Sequence, residues 1–256
     1  MQLSILIVTY NSVRLIDKLL EHLARETRDI AAEVSVVDKA SHDGTARQIR
    51  RFHPGVKLIE STENLGFAAG NNLAARHALG RYLLLLNPDA LPQPGALAQA
   101  LALLERHPQV GLAGGQLTGP DGSRQPSARM FPTLRDEFFT LSGLAARFPS
   151  NRWLARLDRH WADPEKDALV DWIPGAFVFI PTRVFARLGG FDERFFMYYE
   201  EVDLCRRMQQ AGLQIHYWPA LRAMHIGGES AKTVAGARVS KSGSQLESWR
   251  MRSGLL

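Results

Sequence analysis

The feature that most constrains how this chain can fold is a regular alternation in its first half. Short, nearly uninterrupted apolar runs trade places with segments of helical periodicity. They read as strand 3–9, helix 13–26, strand 34–38, helix 44–52, strand 56–60, helix 67–79, strand 82–87 and helix 94–107. A run such as Leu83-Leu84-Leu85-Leu86 lacks the in–out alternation of a one-sided sheet, so both of its faces must be covered. The order predicts an α/β fold with a Rossmann-like, mostly parallel central sheet and helices on both faces.

In such sheets ligands gather outside the carboxyl ends of the strands. Thr9, Asn11, Asp38, Ser41, Asn87 and Asp89 all lie at or just past predicted strand ends and are expected to share one crevice.

The second half changes character. A strand is expected at 111–117, followed by a tight turn through Gly119, Pro120, Asp121, Gly122 and Ser123. Residues 126–168 read as irregular and are rich in Arg, Phe and Pro. Strands at 169–173 and 177–181 flank Pro174 and Gly175, a helix follows at 182–188, helical spacing resumes after Glu200, and 215–218 reads as the last strand. No internal repeat or low-complexity linker divides the chain, which predicts one domain over 1–230 and a helical tail over 231–256. The helical pattern still runs at Leu256, which reads as a natural chain that continues.

At 256 residues and 45% apolar content, one sizeable core can be buried. The net charge of +5 suits anionic ligands such as nucleotide diphosphates or a phospholipid surface. No helix-turn-helix, zinc-finger or RNA-binding signature accompanies it, so nucleic acid is not an expected partner. Cys205 is the single cysteine and falls in a helical pattern; it is expected to be a packed, inert thiol in a reducing compartment. The apolar run at the N-terminus is too short for a membrane span and lacks the basic flank of a signal peptide. The expected location is cytoplasmic, or peripheral at the inner face of the membrane.

Several clusters could carry chemistry, each with a plainer alternative. Asp38 at a strand end can accept hydrogen bonds from a base or sugar edge, whereas Asp43 suits a helix cap. Gly66 and Gly70, at the start of a helix after Asn64, allow close approach of the backbone to a ligand. Asn87-Pro88-Asp89 either delivers a carboxylate to a hard cation or is an ordinary turn. Glu200, Glu201 and Asp203 stand at a helix start, where the dipole alone favours acids; Asp203 can pair with Arg206 or Arg207. His225, after a strand and before two glycines, reads as a loop residue, structural or metal-binding. Trp172 either stacks on a sugar face or fills the core.

Together these segments resemble glycosyltransferase family 2 and its GT-A fold. The likeness is carried by Ile7-Val8-Thr9-Tyr10-Asn11-Ser12, Val37-Asp38-Lys39-Ala40-Ser41, the run from Asn64 to Asn71, Asn87-Pro88-Asp89, the runs from Asp171 to Ala176, Gly190 to Phe196 and Tyr199 to Leu204, and His225. It extends over roughly residues 3–230 in the family's order and is greatest for the rhamnosyltransferase-like branch that builds bacterial surface polysaccharides.

The resemblance implies inverting transfer of a sugar, with rhamnose a candidate, from a nucleotide-diphosphate donor to a hydroxyl of a saccharide or lipid-linked saccharide. Donor contacts would come from Thr9, Tyr10, Asn11, Asp38, Asn64, Gly66, Gly70, Asn71 and Asn87, with Asp38 on the nucleobase. Asp89 matches the last acid of the family's Asp-X-Asp element, although Asn87 replaces the first; Asp89 and His225 would hold Mg²⁺ or Mn²⁺. Glu201 matches the catalytic Asp and would be the general base, with Trp172, Gly175 and Glu200 on the acceptor side. Lys39 stands where Asn is common and Pro174 where Ser is common. On this likeness residues 1–117 form a nucleotide-sugar half and 118–230 a smaller acceptor-binding and catalytic half.

Two rivals make different demands. A sugar-phosphate nucleotidyltransferase needs a Gly-rich basic loop after the first strand, but Thr9-Tyr10-Asn11-Ser12-Val13-Arg14 has no glycine. A silent carbohydrate-binding relative has no need of acids at 89 and 201. The tail, with Leu246, Trp249, Lys241, Arg250 and Arg252, is a candidate for weak membrane attachment or for packing on the domain or a second copy in a homodimer.

Overall fold

A computed structural model describes residues 1–227. The expected tail over 231–256, with its helix and its membrane contact, lies outside the described residues.

The regular half follows the sequence pattern closely. It comprises β1 (Leu3–Thr9), α1 (Val13–Glu26), β2 (Ala32–Lys39), α2 (Thr45–Phe52), β3 (Lys57–Ser61), α3 (Ala68–Ala75), β4 (Tyr82–Leu86), β5 (Ala90–Pro92), α4 (Ala96–Arg106) and β6 (Val110–Thr118). The remainder comprises β7 (Arg124–Gln125), α5 (Leu134–Leu141), α6 (Leu144–Arg147), β8 (Ala168–Leu169), β9 (Phe177–Pro181), α7 (Thr182–Arg187), α8 (Glu200–Gln210) and β10 (Gln214–His225).

The main path of the sheet runs β3-β2-β1-β4-β9-β6-β10-β5. Strands β1, β2, β3 and β4 are mutually parallel where they pair, and β10 is parallel to β6. β9 lies antiparallel between β4 and β6, which makes the sheet mixed at its centre. All seven residues of β1 are buried, in keeping with cover on both sides. Leu3, Ile5 and Ile7 pack with Ile16, Leu19 and Leu23 of α1, while Leu6 and Val8 face the opposite core with Phe185, Leu204 and Met208 from α7 and α8. Cys205 is buried in that second core, and burial pushes its thiol pKa up, so it is the packed thiol expected.

Three differences from the sequence reading matter for the site. The last strand extends beyond Trp218 to His225. Pro219 hides it: the pairing with β6 jumps from Tyr217–Gly114 to Arg222–Gln116 across a bulge, and apolar alternation breaks there. His225 is therefore not a loop residue; it ends β10 and pairs with Ala90 of β5, a strand of three residues too short to show as a pattern. The expected strand at 169–173 shrinks to β8 plus an isolated bridge between Trp172 and Arg129. The stretch 126–168 holds two helices, α5 and α6, whose apolar residues face outward and so gave no core-facing signal.

Candidate active site

Because β1, β2 and β4 are parallel, their carboxyl ends open on one edge. There Thr9 stands in register with Asp38. Asp38 is only 2% exposed, and both of its oxygens accept from Ser41, one from the hydroxyl and one from the backbone N–H. Burial raises its pKa, and those hydrogen bonds oppose the rise. The Ser41 hydroxyl oxygen accepts from the Asn11 N–H at 2.8 Å, and the Asn11 side chain accepts from the His42 N–H at 2.8 Å. Asn11 and Ala40 both adopt left-handed backbone at φ 51° and 59°, which folds the two loops back on one another. Tyr10 is half-buried beside them. Asp43 takes the capping role: its carboxylate accepts from the N–H groups of Val13 at 2.9 Å and Thr45 at 3.0 Å, joining the starts of α1 and α2.

The glycine run before and within α3 serves the chain itself. Asn64 accepts from the Gly66 N–H at 3.1 Å. Gly66 has φ 77°, and a Cβ there would lie 2.2 Å from the Phe196 carbonyl oxygen, which accepts from the Phe67 N–H at 2.8 Å. A Cβ at Gly70 would lie 2.7 Å from Val8. The close approach expected toward a ligand is thus taken up by the segment leading into α8 and by β1. Asn71 is buried and donates to the Phe67 carbonyl at 3.0 Å.

The second cluster joins the loop after β4 to the end of β10. His225 Nε2 lies 3.4 Å from Asp89 Oδ1 and 3.4 Å from the Asn87 amide nitrogen. Gln125, on β7, fixes the imidazole. Its amide nitrogen donates to the His225 carbonyl at 2.7 Å, which leaves Oε1 to accept from Nδ1–H at 2.7 Å. That tautomer turns the Nε2 lone pair toward Asp89. Asp89 Oδ2 accepts from the Gly227 N–H at 3.1 Å, whereas Oδ1 is buried without a hydrogen-bond partner among the described residues. An imidazole nitrogen that accepts from the Asn87 amide at 3.4 Å, beside a carboxylate oxygen without a hydrogen-bond partner, offers two donors that suit a divalent cation, with the second ring nitrogen held by an outer amide. Among the described residues no third His, Cys, Asp or Glu joins them. Gln125 was missed in the sequence; the turn at Gly119–Ser123, which folds β7 back on β6, is the signal that could have found it.

The third cluster is at the start of α8. Tyr198 and Tyr199 are consecutive left-handed residues at φ 74° and 71°, a conformation that costs on the order of 1–3 kcal/mol at each bulky residue. This bend sets the two following glutamates apart. Glu200 is 3% exposed and turns inward toward Lys39, itself buried at the end of β2. Burial, reinforced by the charge of Glu201, holds the Glu200 pKa well above the usual carboxylate range. Burial lowers the Lys39 ammonium to about 8, against the opposing charges of Glu200 and Asp38.

Glu201 turns the other way. It is half-buried in the wall of a 360 Å³ cavity that it shares with Arg129, Trp172, Pro174 and Tyr199. Burial raises its pKa as well, but its hydrogen bond with Glu200, the Arg129 charge and the Gly175 N–H pull it back. Its Oε2, like that of Glu200, is buried without a hydrogen-bond partner among the described residues. Trp172 is nearly buried, donates from Nε1 to the Met130 carbonyl at 2.9 Å, and carries the Arg129 guanidinium 5.1 Å from its ring centre. A Cβ at Gly175 would lie 2.8 Å from Phe67. Asp203 pairs with Arg207 at 2.6 Å and leaves the cavity to Glu201. The structure thus joins Glu201 and Trp172 around one cavity, with the Gly175 N–H bonded to Glu201, and Asp89, Asn87 and His225 in one clip, and it keeps Glu200 behind the wall.

A mixed sheet with a polar crevice at its parallel edge and an acid-bearing helix start above it is the architecture of GT-A glycosyltransferases. Solved structures of that fold superpose on the chain. The mannosyltransferase PcManGT from Pyrobaculum calidifontis, solved with GDP-Man and Mn²⁺, matches at TM-score 0.61 and 24% identity over 98% of this chain and 60% of that one. S. aureus TarS 1–349, solved with UDP-GlcNAc, matches at TM-score 0.61 and 20% identity over 94% of this chain and 62% of that one. The chain therefore spans about three fifths of these neighbours. Residues 4–159 match the model of Glycosyl transferase family 2. The N-acetylglucosaminyl-diphospho-decaprenol L-rhamnosyltransferase of Mycobacterium tuberculosis is 30% identical over 235 residues, 87% of this chain and 75% of that protein. Rhamnosyltransferase WbbL of Escherichia coli is 29% identical over 233 residues, 86% of this chain and 82% of that protein. The chain belongs to glycosyl transferase family 2 and is a glycosyltransferase of GT-A fold.

Proposed function

We propose that this glycosyltransferase moves a hexosyl group, with inversion, from a nucleotide-diphosphate sugar to a hydroxyl of a lipid-linked saccharide. The observation that carries the reading is the split of the paired acids: the Glu201 side chain lines the cavity, while Glu200 lies behind it, 3% exposed, with its pKa held well above the usual carboxylate range. Glu201 accepts the proton of the acceptor hydroxyl as that oxygen bonds to the anomeric carbon; the bond to the nucleotide diphosphate breaks, and its electron pair leaves with the phosphate. Arg129 and the Gly175 N–H lower the Glu201 pKa, against the rise from its burial. Trp172 and Arg129 form the wall on which the acceptor rests.

Residues 1–117 act as the donor half, with Asp38, Thr9, Tyr10 and Asn11 at one end of the crevice and Asn87 at the other; 118–230 act as the acceptor and catalytic half. Asp89 and His225 fit a Mg²⁺ or Mn²⁺ ion, through an unpartnered carboxylate oxygen and an imidazole nitrogen of fixed tautomer. A cation held there would supply charge neutralisation for the departing diphosphate. The two rhamnosyltransferase relatives, one of them named for an N-acetylglucosaminyl-diphospho-decaprenol acceptor and L-rhamnose, support L-rhamnose as the sugar and a polyprenyl-linked saccharide as the acceptor.

The test is transfer from a panel of nucleotide-diphosphate sugars, rhamnosyl donors included, to a short-chain polyprenyl diphosphate saccharide. The reading requires one product of inverted anomeric configuration that disappears with EDTA. Release of inorganic diphosphate from a nucleoside triphosphate and a sugar phosphate, without glycosyl transfer, would replace it with a nucleotidyltransferase.

A further inference from the structure

The stretch from residue 134 to residue 161 is built with its polarity reversed. Helix α5 buries Asp136, which its own Thr133 caps and Arg156 holds at 2.8 Å. Three of its four large apolar side chains go outward, with Phe139 half-buried: Leu134 is 92% exposed, Phe138 62% and Leu141 85%. Spaced by four and three residues, they form one face of the helix. Phe148, Trp153 and Trp161 extend the exposed apolar surface beyond α5 and α6, and α6 buries no residue at all.

The charges are sorted in the same sense. The acids of this stretch face inward: Asp136 to Arg156, Asp158 to Arg129 at 3.2 Å, and Glu137 to the cavity that Glu201 also lines. Exposed arginines sit over the exposed aromatic rings, Arg135 over Trp153 at 5.5 Å, Arg147 over Phe148 at 5.9 Å and Arg152 over Trp161 at 5.5 Å. An apolar helix face with aromatic residues around it and cations among them matches the boundary between the headgroups and acyl chains of an anionic bilayer. A protein partner would have to bring its own acids to all three arginines; a bilayer supplies negative charge everywhere.

We infer that the α5–α6 surface docks this enzyme on an anionic lipid bilayer. Glu137 and Leu157 from the same stretch, with Pro132 just before it, line the Glu201 cavity, so docking brings that cavity to the membrane surface. This deepens the reading of a lipid-linked acceptor and rests on it for its purpose, but the binding itself needs no acceptor.

The full-length protein is co-sedimented with vesicles of phosphatidylcholine alone and of phosphatidylcholine mixed equally with phosphatidylglycerol, neither containing acceptor. Binding is expected only to the mixed vesicles and is expected to fall in high salt. Each basic residue near such a surface contributes roughly fivefold to partitioning. R135Q/R147Q/R152Q is therefore expected to lose about a hundredfold, and L134S/F138S/L141S to abolish binding. These side chains are exposed, so unchanged melting temperatures and unchanged turnover on a water-soluble short-chain acceptor will show that the variants fold. In contrast, K241Q/R250Q/R252Q is expected to bind within a fewfold of the parent. Three outcomes overturn the inference: no binding to mixed vesicles, loss only in the tail variant, or a wild-type dimer that L134S/F138S/L141S turns monomeric without a change in vesicle binding. Intact vesicle binding with no transfer to a lipid-linked acceptor would instead overturn the acceptor reading alone.

Discussion

The β1–β6 half and the segment from 126 to 168 answer to different solvents. In the first, local pattern and burial agree: α1 buries Ile16, Leu19, Leu20 and Leu23 against the sheet and turns its charges to water. In the second, α5 hides an aspartate and shows water its leucines and Phe138. Apolar periodicity reports which face of a helix avoids water, and it specifies a core only when the chain itself supplies the cover. The Glu201 cavity lies on the seam between the two: Pro132, Glu137 and Leu157 come from the irregular segment, while Glu201 stands on α8, packed against the sheet.

The largest expected effect tests that seam. Glu201→Gln keeps the shape and removes the basicity, so turnover is expected to fall by roughly two to four orders of magnitude while donor binding measured by calorimetry persists. Near-normal turnover would move the chemistry off the seam.

Next in size is the core of the regular half. Leu84→Ala, at a fully buried position on β4, is expected to cost about 2–5 kcal/mol in denaturant unfolding. A much smaller cost would mean that the sheet relaxes around the gap, and the contrast in rigidity would weaken.

Gln125→Ala asks whether the segment just past β6 matters to the crevice of the first half. It frees the His225 ring without touching Asp89, and Mn²⁺ affinity is expected to fall roughly 10–100-fold. Unchanged affinity with loss in Asp89→Ala would reduce the clip to Asp89 alone.

The smallest effect belongs to the inverted helix. Leu134→Ala is expected to change stability in water by no more than about 0.5 kcal/mol, since the side chain is almost fully exposed. A cost like that of Leu84→Ala would mean that another part of the protein covers α5.

How far the sequence could be read follows the same divide. The bounds of β1 and α1 were legible because their buried positions repeat at the period of the element. Glu201 could be singled out with Glu200 and Asp203 as a cluster at a helix start, but periodicity did not reveal which acid faces the cavity. That depends on the two left-handed tyrosines before them and on Lys39, distant in sequence, drawing Glu200 inward. The expected position of His225 on a loop failed for a local reason, the bulge at Pro219, and the role of Gln125 for a topological one, a two-residue strand that means nothing until it pairs. Gly66 and Gly70 were legible as sites of close approach, but the Phe196 carbonyl and Val8, which a Cβ there would meet, were not, because both are distant in sequence.

The pH dependence of kcat/KM tests most directly the central claim, that Glu201 is the ionising base and Glu200 the buried acid behind it. The acid limb of that profile reports the base in the free enzyme. Burial raises Glu201, so in the parent activity should fall as pH drops through a midpoint above the ~4.3 of a free glutamate. Glu200→Gln, which can still donate a hydrogen bond, should keep that limb, and the residual activity of Glu201→Gln should lose it. A limb that survives unchanged in Glu201→Gln and vanishes in Glu200→Gln would contradict the assignment.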